Sequence, residues 1–304
     1  MNNLSKIRLL GQQDIDYEKW GQTIENARNK RLYARSWYLD LVVERWSALI
    51  FGDYEYVMPL PLKKKYRITY VYQPEYIQQL GIFPTPPFEI QEAFAHRLRN
   101  QFRLVSYQLN NENSIDAFKN FKATEKVNFC VNLQPPYKTL FSKFSQHAKR
   151  NIRTAENNKV KIIKGQLPYE YMVAKKSSIR TKVEESTYKK LTLLMSNTIT
   201  SGKGVVYAAY SSVNNLCGAA FFLLDGGRAF YLNAFSTDEG RKNRAMYAVV
   251  NEFIKEHSET DLVLDFEGSI IGGIARFYKG FGALPENYFY IYSNRLPVIK
   301  IFMK

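Results

Sequence analysis

A proline pair, Pro135-Pro136, separates two stretches of chain whose apolar patterning runs in the same order, and this recurrence confines the chain to a doubled α/β plan. Ahead of the prolines, KIRLL reads as a strand, 25–43 as an amphipathic helical stretch, and WSALIF as a strand closed by Gly52-Asp53. Pro59, Pro61 and the Lys63 to Lys65 run place YVMPLPLKKKYRITYVYQP at an edge or bend, and YIQQLGIF is the next strand. IQEAFAHRLRNQF puts Ile90, Phe94, Leu98 and Phe102 near one helix face, and LVSYQLN alternates as a strand. The order then repeats without repeating the sequence. A strand over 129–133 leads to a helix over 137–157, the strand VKIIK, and helices over 168–180 and 187–201 stopped by Gly202 and Gly204. VVYAAYS, CGAAFFLLD and RAFYLNAFS are strands, the last two joined through Gly226-Gly227. The helix NRAMYAVVNEFIKEH, the buried strand LVLDFEG, the short helix IARFYKGFG and the strand YFYIYS complete the chain.

A length of 304 residues exceeds what one core usually fills, so domains at 1–136 and 137–304 are expected. Hydrophobic residues at 45% and aromatics at 15% are ample for two cores. No window reaches the roughly 18 apolar residues of a spanning helix. The N-terminal MNNLSKIRLLGQQDID has no apolar stretch behind its charges, so a cytoplasmic location without integral membrane association is expected. Cys130 and Cys217 sit in apolar runs and read as buried thiols of a reducing compartment. His96, His147 and His257 are scattered with no second ligand at metal-binding spacing, so no metal is expected.

Lys plus Arg outnumber Asp plus Glu 43 to 28, a net +15, which favours an anionic partner by field steering. Two clusters concentrate that charge. Between 137 and 165, Lys138, Lys143, Lys149, Arg150, Arg153, Lys159, Lys161 and Lys164 stand against Glu156 alone; they form either a solvated basic face or a site for a phosphate-rich ligand. Arg241, Lys242, Asn243 and Arg244 open a helix, where the macrodipole disfavours cations unless an anion joins them. A solvated basic loop is the competing reading. Asp265 and Glu267 end a buried strand two positions apart, on one face of it. They are a candidate general base, with proton affinity raised by desolvation, or else one of them holds an arginine.

HAKRNIRTAENNKVKI, YLNAFS, GRKNRAMYAVVNEFI and LDFEGSIIGGIARFYKGFGA resemble the second domain of FemABX proteins. YARSWYLDLV, GDYEYVMPLP and YIQQLGIF resemble GNAT-type FemABX relatives, so the likeness runs through most of the sequence. It implies a mixed α+β class of α/β chain: two tandem GNAT-like domains with mixed, largely antiparallel sheets, whose last residues pack back on the first domain. FemABX enzymes pass amino acids from aminoacyl-tRNA to a peptidoglycan precursor, and GNAT enzymes acylate amines from acyl-CoA. The implied activity is N-acyl transfer from a phosphate-bearing carrier, acyl-CoA or aminoacyl-tRNA, with no tightly bound cofactor. The acceptor is an amine, a cell-wall precursor being one such, held in the cleft between the domains. Two motifs depart from the family. Where FemABX proteins have Lys after the Phe of RFK-x-GFG, this chain has Tyr278, with Lys279 next. The GNAT donor loop Arg/Gln-x-x-Gly-x-Gly/Ala keeps Arg241 but lacks the glycines that let a pyrophosphate approach the backbone.

The expected site therefore has Asp265 or Glu267 as base, and Tyr278 and Lys279 stabilising charge at the carbonyl. Arg241, Lys242, Asn243, Arg244, Arg150 and Arg153 hold donor phosphates, and Tyr38, Lys63, Lys64, Gln78 and Gln79 face the acceptor. The rival reading is a noncatalytic nucleic-acid or nucleotide-binding protein on the same scaffold.

Overall fold

The computed structural model describes residues 3–165, 167–178, 183–268 and 272–296. In chain order the strands and helices are β1 (Ile7–Gly11), α1 (Tyr17–Asn26), α2 (Ser36–Val42), β2 (Trp46–Phe51), β3 (Tyr56–Lys65), β4 (Ile68–Val71), α3 (Phe88–Gln101), β5 (Leu104–Leu109) and β6 (Lys122–Asn132). There follow α4 (Tyr137–Ser142), α5 (Gln146–Asn157), β7 (Lys161–Lys164), α6 (Pro168–Ser178), α7 (Glu185–Thr200), β8 (Gly204–Tyr210), β9 (Leu216–Asp225) and β10 (Arg228–Ser236). The chain ends through α8 (Asp238–Lys242), α9 (Ala245–Glu256), β11 (Val263–Asp265), α10 (Gly272–Gly280) and β12 (Leu284–Asn294). Chain contacts divide it into a unit of residues up to Lys126 together with those from Asn287, and a unit of Val127–Glu286.

In the first unit, β1, β2 and β3 form an antiparallel run, β4 pairs the far end of β3, and Phe289–Asn294 of β12 pairs antiparallel with β5. Trp20 and Trp46, both buried, meet at 5.2 Å in its core. The expected edge position of the proline-bearing segment does not hold: β3 lies between β2 and β4. Val57 exchanges both backbone hydrogen bonds with Phe83, away from β2. Pro59 and Pro61 share its parity, so their missing N–H falls where the β2 ladder needs no donor. The strand expected over 76–83 is instead coil with isolated bridges at Leu80 and Phe83. Buried amides replace a ladder there: Asn110 donates to the Leu80 carbonyl and Asn29 to the Ile82 carbonyl, both at 2.8 Å, while the Ile82 N–H donates to Asn113 at 2.8 Å. The helical stretch expected over 25–43 is likewise divided, with α1 ending at Asn26 and α2 starting at Ser36.

The second unit arranges its strands as β6-β11-β10-β9-β8-β7, antiparallel except for the parallel pair β10–β11. Alternation along β8, β9 and β10 gives each strand two apolar faces. One buries Tyr207, Phe222 and Tyr231 under α5, α9 and α10. The other carries Val206, Phe221 and Phe235, and α6 and α7 cover it. The helix expected over 137–157 is two: Ser145 breaks it, accepting from the Ala148 N–H at 3.1 Å as an N-cap while its own N–H donates to the Gly280 carbonyl at 2.9 Å. The break lets Phe144 turn into the core.

Phe222 and Phe253 are fully buried and stacked at 3.8 Å and 10°, fixing α9 against β9. Phe253→Ala is expected to cost about 3–5 kcal/mol, measured as a lower urea midpoint at unchanged slope.

Candidate functional site

Parallel pairing of β10 with β11 runs only from Arg228↔Val263 to Phe230↔Asp265. β10 continues to Ser236, bulged against β9 between Tyr231 and Asn233. The chain after β11 departs: the Phe266 N–H donates to the Phe129 carbonyl at 3.0 Å, and Glu267 and Gly268 take positive φ of 57° and 65°. A Cβ on Gly268 would stand 2.2 Å from the Val127 carbonyl oxygen, so glycine is required at this bend. The two strands thus part, and a cleft of 760 Å³ opens along the free edge of β10, reaching from Arg241 and Ser236 to Glu267 and Tyr278.

One wall is aromatic. Phe266 and Tyr278 stack at 4.4 Å and 18°, and Tyr231 meets both edge-on. Burial, reinforced by the Glu267 carboxylate, pushes the Tyr278 phenol above its ordinary pKa, so it is a hydrogen-bond donor at neutral pH.

The two expected carboxylates do not share a face, because Glu267 lies past the strand end in the left-handed region and borders the cleft. Asp265 is turned inward and 1% exposed. Its carboxylate accepts from Asn128 at 2.8 Å, from the Glu267 N–H at 2.9 Å, and from Arg228 at 2.8 Å. This is the alternative in which one acid holds an arginine. Cys130, Asp265 and Glu286 converge closely enough for metal ligation, but the Arg228 guanidinium stands among them, donating to Asp265 and, at 3.1 Å, to Glu286. Burial and the Asp265 charge push the Cys130 thiol up, which keeps it protonated.

At the other end of the cleft, the chain past Ser236 makes the five-residue α8 and then restarts as α9, with Arg244 at φ 58° between them. Thr237 caps α8, accepting from the Gly240 N–H at 3.0 Å and donating to the Cys217 carbonyl at 3.1 Å. Arg241 lines the cleft, its guanidinium donating to the Ser236 carbonyl at 2.7 Å and to Asp238. Asn243 accepts from Asn158 at 3.2 Å; Lys242 and Arg244 are exposed. Arg241 and Lys242 thus close α8 rather than open the long helix, and α9 begins without a side-chain cap, with Met246 of its first turn on the cleft.

The remaining expected residues stand outside the cleft. Lys279 lies over the Phe129 ring at 5.4 Å, and Arg150 and Arg153 are exposed on α5. In the first unit Tyr38 is buried and donates to the Tyr76 carbonyl at 2.5 Å; Gln78 and Gln79 are buried and bonded to each other at 2.9 Å. Lys63 and Lys64 are exposed on β3, with Lys63 over Tyr72 at 4.5 Å. The cleft also includes Tyr231 and Asn233 of YLNAFS and Met246 of the α9 apolar stripe, none of which is among the expected site residues. Asn233, a polar residue amid the apolar run RAFYLNAFS, was the available signal.

No family model matches the sequence, and no curated protein sequence matches it. Solved structures do match. FemX superposes with a TM-score of 0.62 at 13% identity, covering 91% of this chain and 96% of FemX. A conserved protein of unknown function from Bacteroides thetaiotaomicron gives 0.54 at 9% identity, covering 91% and 92%. The C-terminal domain (DUF2156) of a protein from Agrobacterium fabrum, named as a lysylphosphatidylglycerol synthetase, also gives 0.54 at 9% identity, covering 91% of each chain. The chain therefore shares the fold of FemX. Among the described residues no helix is long and apolar enough to cross a membrane.

Removing one partner of a buried ion pair strands the other, at about 3–5 kcal/mol. Arg228→Met, which leaves the buried Asp265 without its cation, is accordingly expected to lower the unfolding free energy by that order, and Asp265→Asn, which leaves Arg228 its Glu286 partner, by less. A Cβ on Gly240 would stand 1.8 Å from the Cys217 carbonyl oxygen, so Gly240→Ala should displace α8 at a cost of about 1–3 kcal/mol. Calorimetric unfolding checks both.

Proposed function

We propose that this protein transfers an acyl or aminoacyl group from a phosphate-bearing carrier, acyl-CoA or aminoacyl-tRNA, to an amine. The carrying observation is the cleft itself, which joins Arg241 and the first turn of α9 at one end to Glu267 and Tyr278 at the other, along an edge of β10 that β11 leaves open. Such an edge offers main-chain N–H and C=O groups to an extended amide-containing arm. The uncapped N-terminus of α9, with Arg241 and Arg244 near it, suits the carrier's phosphates.

The reaction needs no covalent enzyme intermediate. The amine nitrogen attacks the carbonyl carbon of the thioester or ester, the carbon–sulfur or carbon–oxygen bond breaks, and the amine proton passes to the Glu267 carboxylate. The Tyr278 phenol donates a hydrogen bond to the developing oxyanion or a proton to the leaving group. Asp265 acts indirectly, by holding the bend that presents Glu267. The likeness to FemX supports this reading at the level of fold, and the +15 charge suits a polyanionic carrier.

A screen of acyl-CoA and aminoacyl-tRNA donors against amines, following free thiol or deacylated tRNA, tests the proposal. Glu267→Gln is expected to lower kcat by about 10²–10⁴-fold with carrier binding retained, and Tyr278→Phe by about 10²–10³-fold. Carrier binding without turnover for any amine would favour the noncatalytic nucleotide-binding reading; absence of both overturns the proposal.

A further inference from the structure

α6 presents Tyr171 and Lys175, one turn apart, to the half of β10 that lines the cleft. The Tyr171 phenol donates to Asn233 Oδ1 at 2.9 Å, and its ring meets Phe235 edge-on at 5.0 Å. Lys175 is 7% exposed, and its Nζ donates to the Ala234 carbonyl at 3.3 Å. Asn233, Ala234 and Phe235 all border the cleft, so the ammonium stands directly behind its wall.

An ammonium carries three donors. Among the described residues Lys175 makes one long bond to a neutral carbonyl and pairs with no carboxylate. Burial holds its pKa down to about 8. A buried cation without a counter-charge destabilises a fold. The Ala234 carbonyl lies where pairing with β11 has ended and needs a donor, but an uncharged amide would serve it equally. The charge is the part that the fold leaves unexplained, and an anion entering the cleft would satisfy it. α6 covers the opposite face of the sheet from α9, so a carrier whose phosphates lie at α9 leaves the Lys175 side to the acceptor.

We infer that Lys175 anchors a carboxylate of the acceptor, selecting amines that bear an acid group, amino acids and peptides among them, over their neutral counterparts. The inference rests on the N-acyl transfer reading of the same cleft. Glycylglycine and glycylglycinamide, which differ in that one group, are the probes, and their binding is measured by calorimetry without donor before acylation is assayed. The wild-type protein is expected to bind the acid more tightly by about tenfold, the worth of one charge-assisted hydrogen bond. Lys175→Gln keeps a donor for Ala234 and should retain the unfolding midpoint while equalising the two affinities, and in turnover the KM values, with kcat little changed. Equal or undetectable wild-type binding of both probes, or a preference surviving in Lys175→Gln, overturns the assignment. A preference abolished by Lys175→Gln in a protein that acylates neither probe from any carrier would sustain the carboxylate site while removing N-acyl transfer.

Discussion

The second unit is organised around one desolvated carboxylate. Asp265 accepts from Asn128 on β6, from Arg228 at the start of β10, and from the backbone N–H of Glu267. A buried carboxylate needs such donors in place of the water it lost. This set ties three strands together at the last residue of β11 and dictates where the chain must bend. β10 runs on while β11 stops, and the resulting gap is the cleft.

That geometry separates two roles that neighbouring acids often share. Asp265 is consumed by the fold and has no face on the cleft, whereas Glu267, released by two consecutive left-handed residues, does. The aromatic wall of Phe266, Tyr278 and Tyr231 then sets the dielectric of the chamber. It keeps the phenol protonated and available to donate beside the Glu267 carboxylate. On the far side of β10, α6 brings a cation to the same gap, so the chamber combines a carboxylate and a phenol with an ammonium behind its wall.

Much of this was legible in the sequence. The strands from KIRLL to YFYIYS, the Gly226-Gly227 hairpin and the apolar stripe of α9 follow from periodicity and turn chemistry, because each is a local preference. The stretch ending in Glu267 and the basic loop at Arg241 were visible as chemistry-bearing segments. Among the readings that failed for nonlocal reasons, three show the cause plainly. Pro59 and Pro61 signalled an edge, but parity with Val57 lets β3 lie inside the sheet. YIQQLGIF has strand-like residues, yet Asn29, Asn110 and Asn113 bond its backbone in place of a neighbouring strand. The basic helix over 137–157 breaks at Ser145, whose N–H is engaged by the Gly280 carbonyl from a distant part of the chain.

By itself, then, the sequence determined the kind and order of most elements and the segments that carry acids and cations, since spacing within a helix or strand is set by backbone geometry alone. Only the tertiary structure decided which of those charges meet. Asp265 and Glu267 are two residues apart in a strand-like run, and the positive φ values of Glu267 and Gly268 send them to different environments. Arg241 and Glu267 border one cleft while Arg150 and Arg153 stay on the surface, and Lys175, unremarked in the sequence, is buried beside Ala234. Burial and counter-charge are properties of packing between segments far apart in the chain, and no local pattern encodes them.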